Sequence, residues 1–217
     1  MSAGGSQGTA DGAGGYRTLA GRCSASVTIE RSEFIAVAFP ASDEAAAFAT
    51  LNEIRTSHPK ARHNVWAYVL RDGRERYSDD GEPQKTAGVP TLEVLRHSRL
   101  VDVAIVTTRY FGGVLLGAGG LVRAYTQAAQ RALEVAEVLE YTRCVTVRLG
   151  LDYGAYAKVG HMAAAAGGHV GEPTFTDEVV LPVTFRAGEQ DAFIADVREL
   201  TAGRVRVEVG KPRFERF

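Results

Sequence analysis

Two short segments concentrate the residues able to do chemistry. The first runs Arg109-Tyr110-Phe111-Gly112-Gly113-Val114-Leu115-Leu116-Gly117-Ala118-Gly119-Gly120-Leu121-Val122-Arg123-Ala124-Tyr125. An apolar stretch from Leu100 to Thr108 reads as the buried strand leading in, and an amphipathic pattern from Leu121 to about Leu139 as the helix leading out. Gly112, Gly113, Gly117, Gly119 and Gly120 then lie between strand and helix. Such a turn can hold an anion, because the first helical N–H groups are unpaired and the helix dipole favours negative charge there. This spacing puts Arg123 in or near the first helical turn, where the dipole disfavours a cation by about 0.3–1 kcal/mol unless an anion is bound. The alternative is a tight connection whose glycines serve close packing. Counting from Gly117, the sixth position is Val122, so the dinucleotide fingerprint is absent, and no Gly-Lys-Ser/Thr follows to make a phosphate loop of the Walker type.

The second segment is Asp79-Asp80-Gly81-Glu82-Pro83, continuing through Gln84-Lys85-Thr86-Ala87-Gly88. Its clustered carboxylates can bind Mg²⁺ or act as general acid and base. They can equally form Asx turns, caps and ion pairs to Arg76, Arg109 or Arg123, and that structural role is the one expected. His63-Asn64 offers a general base or a hydrogen-bonding loop residue, the second being preferred. His58, His97, His161 and His169 form no HExxH pair, no GxSxG elbow occurs, and Cys23 and Cys144 make no CxxC. No metal or cofactor is expected, and the balance leans against an enzyme. Tyr77, Tyr110 and Phe111 lie in or beside loops and can stack on bases, whereas Trp66, Tyr68 and Tyr125 read as core.

The flanking pattern supplies the elements that must position these residues. Ser24–Ile29 and Glu33–Phe39 read as strands, and Ser42 as the cap of a helix carrying Phe48, Leu51 and Ile54, which stops near His58-Pro59. Val65–Arg71 is apolar on both faces and so interior, Asp72-Gly73 turns the chain, and Arg74–Ser78 pairs back. Thr91–Arg96 is a short helix. On the long helix Leu121, Tyr125, Ala128, Ala132, Val135 and Leu139 mark the buried face. Beyond residue 141 the order becomes strand 142–151, helix 156–166, strands 169–175 and 179–185, helix 189–200 and strand 205–209. That is βαββαβ, the ferredoxin-like motif.

With 217 residues the chain holds one large domain or two small ones, and the pattern favours two: 16–141 and 142–217. Residues 1–15, rich in Gly, Ala and Ser, read as a disordered tail without the features of a signal peptide. A formal net charge of −1 argues against general coating of nucleic acid or membrane but allows a local basic patch. No apolar run is long enough to span a bilayer, and a cytoplasmic location is expected.

The two segments together resemble the YigZ/IMPACT family. The resemblance rests on His63-Asn64, Ala67-Tyr68, Ser78-Asp79-Asp80-Gly81-Glu82-Pro83, Thr86-Ala87-Gly88, Pro90, Arg109-Tyr110-Phe111-Gly112-Gly113, Leu116-Gly117-Ala118-Gly119-Gly120-Leu121 and Arg123-Ala124-Tyr125, with Ser32 and Phe34-Ile35-Ala36 in register. It covers roughly residues 17–140, and the C-terminal part is similar to the second domain of bacterial YigZ-type members. It implies an α+β protein of two domains. The first would have the fold of the second domain of ribosomal protein S five, with a left-handed βαβ unit. The second would be ferredoxin-like and similar to the last domain of elongation factor G. Eukaryotic IMPACT members regulate translation by competing for an activator of a stress kinase, using a further N-terminal module. This chain has the bacterial layout, so that mechanism is not carried over; for bacterial members the family implies a cytosolic protein that binds RNA or another polyanion. The family usually reads Ser-Gly where this chain has Gln84-Lys85, and often a lysine where it has Leu115. Lys85 is therefore a substitute for the missing lysine, and the lost glycine implies that positive φ is not needed at position 85.

Three functional expectations follow. In the first, the chain is a non-enzymatic RNA- or polyanion-binding protein of translation or its regulation. Arg109, Arg123 and Lys85 supply charge, Tyr110 or Phe111 stack, and Gly112, Gly113, Gly117, Gly119 and Gly120 present N–H donors. His63, Asn64, Asp79, Asp80, Gly81, Glu82, Pro83 and Thr86 form the supporting loop. In the second, it regulates translation by docking a ribosomal or translation-factor partner. In the third, it is an Mg-dependent enzyme acting on a phosphorylated small molecule.

Overall fold

The computed structural model describes residues 14–217. The expected tail lies, apart from Gly14 and Gly15, outside the described residues. Two compact units divide the rest, Tyr16–Glu140 and Tyr141–Phe217, and each is described by itself.

The first unit begins in β1 (Gly15–Leu19), β2 (Cys23–Ile29) and β3 (Ser32–Pro40). Helix α1 (Glu44–Ser57), β4 (His63–Val69) and β5 (Glu75–Ser78) follow, then α2 (Gly88–Ser98), β6 (Val103–Tyr110) and α3 (Gly117–Glu134). Five strands form one antiparallel sheet in the order β2-β3-β6-β4-β5. Successive strand residues face opposite sides, so each inner strand feeds two cores. On one side Phe34, Ala36, Val65, Ala67, Val103 and Ile105 pack against Leu92 and Leu95 of α2 and Leu121, Tyr125, Ala128 and Ala132 of α3. On the other, Val37, Phe39, Tyr68, Ala104 and Val106 meet Ala47, Leu51 and Ile54 of α1. This explains why β4 and β6 read as continuous apolar runs.

The second unit contains β7 (Val138–Leu151), α4 (Tyr153–Ala165), β8 (His169–Val170) and β9 (Thr174–Phe175). It ends with β10 (Val179–Arg186), α5 (Gln190–Leu200), β11 (Arg206–Val209) and β12 (Arg213–Glu215). Its sheet runs β11-β7-β10-β8, which completes the expected βαββαβ arrangement. Val147, Leu149, Leu181, Val183 and Phe185 bury against Val159 and Ala163 of α4 and Phe193 and Val197 of α5.

Several local expectations are corrected. Strand β6 starts later and runs on to Tyr110, so Arg109 and Tyr110 belong to the sheet, opposite Phe34 and Glu33. Helix α3 starts at Gly117, not Leu121, and stops at Glu134; Val135 is exposed, and Leu139 lies in β7. Helix α2 extends from Gly88 to Ser98. Asp43, not Ser42, caps α1, accepting from Ala46 N at 2.8 Å. The strand expected over 169–175 is two short pieces, β8 and β9, separated by a segment containing Pro173, which has no N–H to donate. Among the described residues no helix is long and apolar enough to cross a membrane.

Candidate functional site

Glu82 turns inward from the acidic loop. Its Oε1 accepts from Arg109 Nη1 at 2.8 Å and from the Tyr125 hydroxyl at 2.7 Å. Only 4% of the Glu82 side chain and 7% of the Arg109 side chain remain exposed. The guanidinium also reaches Ser32 Oγ at 3.4 Å and lies 5.4 Å and 5.5 Å from the rings of Phe34 and Phe111. Its Nε is buried without a partner. Burial first, and then the charge of Glu82, push the Tyr125 hydroxyl far above the usual phenol range, so it stays protonated and donates. Acidic loop, β6 and α3 are thus joined at one carboxylate.

The two aspartates are also engaged. Asp79 Oδ1 accepts from Ala87 N at 3.1 Å and Gly88 N at 2.8 Å, and its Oδ2 from Lys85 N at 2.9 Å. Asp79 therefore caps α2 from a distance and neutralises its dipole there. Asp80 Oδ2 accepts from Asn64 N at 2.6 Å, and its Oδ1 from Arg55 Nη2 at 2.9 Å. His63 Nδ1 lies 2.8 Å from the Asp80 carbonyl, which can only accept, so that ring nitrogen carries the proton. Thr86 Oγ1 donates to Pro83 O at 2.6 Å, and Thr108 Oγ1 to Asn64 Oδ1 at 2.8 Å. Gly81 sits below His63; a Cβ there would be 3.3 Å from Nδ1. The expected structural role of this loop is what its hydrogen bonds describe. Among the described residues no group of His, Cys, Asp or Glu is arranged to hold a metal ion.

The glycine turn divides into a packed root and an exposed tip. A Cβ on Gly112 would lie 2.0 Å from the Arg31 carbonyl, and Gly112 N donates to Ser32 Oγ at 3.1 Å, so this glycine serves close packing. Gly117 and Gly119 are exposed, with nothing near the position of an added Cβ. The tip displays apolar side chains: Phe111 is 50% and Leu115 88% exposed, with Val114 and Val122 partly so.

Three readings of the cations change. With α3 starting at Gly117, Arg123 is well past the first turn, where the dipole no longer bears on it; the side chain is exposed and has no ion pair among the described residues. Lys85 does sit at positive φ, 62°, so the family's glycine position keeps its left-handed backbone here despite the side chain. Lys85 and Val122 line one open groove of about 930 Å³ between α2 and α3, together with Pro90, Val94 and Leu133. Arg109 is no surface cation, because Glu82 neutralises it in the core.

Sequence reasoning missed Arg55 and His58. His58 Nδ1 lies 2.8 Å from the Tyr110 hydroxyl, which fixes Tyr110 against α1, while Tyr77 covers Gly88. Phe111, half exposed although it also contacts the Arg109 guanidinium, is thus the stacking candidate with the most free surface. Nothing in the sequence spacing links position 58 to 110, and the register of β4 on β6 is what brings them together. Tyr125 read as core, and is; the sign of more was a hydroxyl on a helix face otherwise built from alanine and leucine.

A protein of two α+β units, the first holding an acidic loop and a glycine turn through a buried Glu–Arg–Tyr cluster, is the class defined here. The chain belongs to the IMPACT family. Residues 30–133 match the Impact N-terminal domain, and residues 149–204 match a domain of unknown function (DUF1949). The chain is 35% identical over 187 residues to the IMPACT family member YvyE of Bacillus subtilis, covering 85% of this chain and 86% of that protein. It is 31% identical over 183 residues to YigZ of Escherichia coli, covering 82% and 90%. A solved structure titled as a hypothetical protein superposes with a TM-score of 0.59 at 28% identity, over 91% of this chain and 98% of the other.

Proposed function

We propose that this chain is a non-catalytic protein that binds RNA or a similar polyanion at the start of α3, in the service of translation or its regulation. The observation that carries the reading is the N-terminus of α3. Helices α1 and α4 are capped by Asp43 and Asp152, α2 by Asp79, and α5 has Asp191 in its first turn. Among the described helices α3 alone has neither a side-chain oxygen on its first amides nor an acid in its first turn. Its opening residues are Gly117, Ala118, Gly119 and Gly120, so phosphate can approach the free amides closely. Arg123 and Lys85 are exposed cations without ion pairs among the described residues, and Phe111 offers a face for a base. Arg109 acts as a positioning residue, holding the root of the turn. The carboxylates of the acidic loop are engaged with protein donors, which weighs against general-base work or Mg²⁺ binding and hence against the enzyme reading.

Fluorescence anisotropy with a labelled single-stranded RNA tests this. Affinity should fall with salt, and Lys85→Ala/Arg123→Ala should flatten the log–log slope by about 1–2. Affinity indifferent to salt, or to that double substitution, overturns it. A second reading is favoured by Leu115 and its apolar neighbours: the tip docks a ribosomal or factor protein. Binding to ribosomes that is lost in Leu115→Lys but insensitive to salt would select that reading.

A further inference from the structure

At one end of the first sheet, the chain segments that flank three neighbouring strands converge. Strand β6 lies between β3 and β4, and both run antiparallel to it, Glu33 pairing with Tyr110 and His63 with Arg109. The start of β3, the end of β6 and the start of β4 therefore lie side by side, about 4.8 Å from strand to strand. Phe111 follows the end of β6, Arg31 precedes the start of β3, and Lys60 and Arg62 precede the start of β4. Each cation rides on a held backbone. Gly112 packs against the Arg31 carbonyl. The loop carrying Lys60 and Arg62 is tied at both ends, by His58 Nδ1 to the Tyr110 hydroxyl at 2.8 Å and by His63 Nδ1 to the Asp80 carbonyl at 2.8 Å. Arg31, Lys60 and Arg62 are exposed and without ion pairs among the described residues. The nearby acids Asp79, Asp80 and Glu82 are engaged with protein donors, which leaves Glu30 and Glu33 as the unpaired acids of this end. With Lys85 and Arg123 counted, unpaired positive charge prevails there.

We propose that the ligand is a single-stranded segment of RNA, laid across this end of the sheet with a base on Phe111 and its phosphates on Arg31, Lys60 and Arg62 as well as on Lys85 and Arg123. The inference rests on the polyanion reading above and adds to it a strandedness and three phosphate contacts. An exposed ring with cations on the strands to either side suits a nucleic acid strand, in which each base stands between two phosphates. A base can lie on Phe111 only when it is unpaired and splayed out, which a duplex does not offer. A polyanion without bases would meet the same cations and gain nothing from the ring. Because His58, His63 and Gly112 already fix the segments that carry these cations, binding orders little more than the cationic side chains themselves.

Fluorescence anisotropy of the full chain with a labelled single-stranded RNA tests this, with the same sequence as a duplex and a polyphosphate of matching charge as competitors. The single strand should bind about tenfold tighter than either competitor, and Phe111→Ala should remove about tenfold of its affinity. Arg31→Gly deletes the charge at a position whose φ of 64° glycine adopts freely, and should flatten the log–log salt slope by about 0.7. Lys60→Ala/Arg62→Ala should flatten it by about 1.4. Lys158→Ala, which removes an exposed charge from the second unit, should change neither affinity nor slope. Binding that weakens in Lys85→Ala/Arg123→Ala but not in Arg31→Gly or Lys60→Ala/Arg62→Ala overturns this proposal and leaves the α3 reading standing. Equal affinity for the duplex or the polyphosphate also overturns it. Absence of salt-dependent binding by the unaltered chain overturns both.

Discussion

Tyr125 donates its hydroxyl to Glu82 at 2.7 Å across 43 positions of sequence, and Arg109 fills the same carboxylate oxygen from β6. Helix, loop and strand therefore share one buried acceptor. Removing one member of the ion pair leaves the other's charge buried and uncompensated, whereas removing both leaves only the neutral Tyr125 hydroxyl without its acceptor. Glu82→Leu and Arg109→Met should each cost about 3–5 kcal/mol, and the double variant should cost clearly less than their sum. Urea unfolding of the four proteins in the cycle measures this, and additive losses would show that the pair is not a unit.

Neighbouring glycines should respond with opposite sign. Gly112→Ala drives a methyl into the Arg31 backbone and should destabilise by about 1–3 kcal/mol. Gly119→Ala adds a methyl to open space inside α3 and should stabilise by about 0.5–1 kcal/mol. Thermal melts of the two variants decide this.

At Lys85 the backbone holds φ at 62° with a side chain present. Lys85→Gly relieves a left-handed conformation, which a greater loss of chain freedom partly offsets. The net expectation is a gain of up to about 1 kcal/mol, while Lys85→Val should lose stability. Denaturant midpoints would show it, and a Lys85→Gly variant clearly less stable than wild type would contradict the backbone reading.

Alkali should act through Tyr125. Its ordinary value is 10.0 and the fold raises it, so the folded chain keeps a proton that the unfolded chain gives up. The contribution is complete below about pH 10 and is lost as pH rises from there toward the folded value. Stability measured by denaturant titration should decline over that window, and Tyr125→Phe, although less stable at neutral pH, should decline less steeply.

Much of the architecture was legible because hydrophobic period survives in single strands and helices. The continuous run 65–71 marked an interior strand, and the alternation after Thr142 marked the second unit's first strand. What failed was local. The start of α3 was hidden because glycine carries no periodic signal, so Gly117 to Gly120 read as turn although they are helix. Position 85 misled because a lysine was taken to exclude a backbone that Asp79, by holding Lys85 N, imposes. Asp79, Asp80 and Glu82 were visible as a supporting cluster, but which carboxylate meets which donor depends on strand register, and Arg109 could be placed as buried only once β6 was known to include it.

Between Arg109 and Leu115 the chain passes from 7% to 88% exposure. Its root is clamped by an ion pair, the contacts of the guanidinium with the Phe34 and Phe111 rings, and the Ser32 hydroxyl. The tip thus resembles a stylus on a stiff mount: a ligand of the kind proposed would meet a segment whose base has already surrendered its conformational entropy during folding. Contact there would need to order only a handful of residues, so a small footprint would cost little conformational entropy.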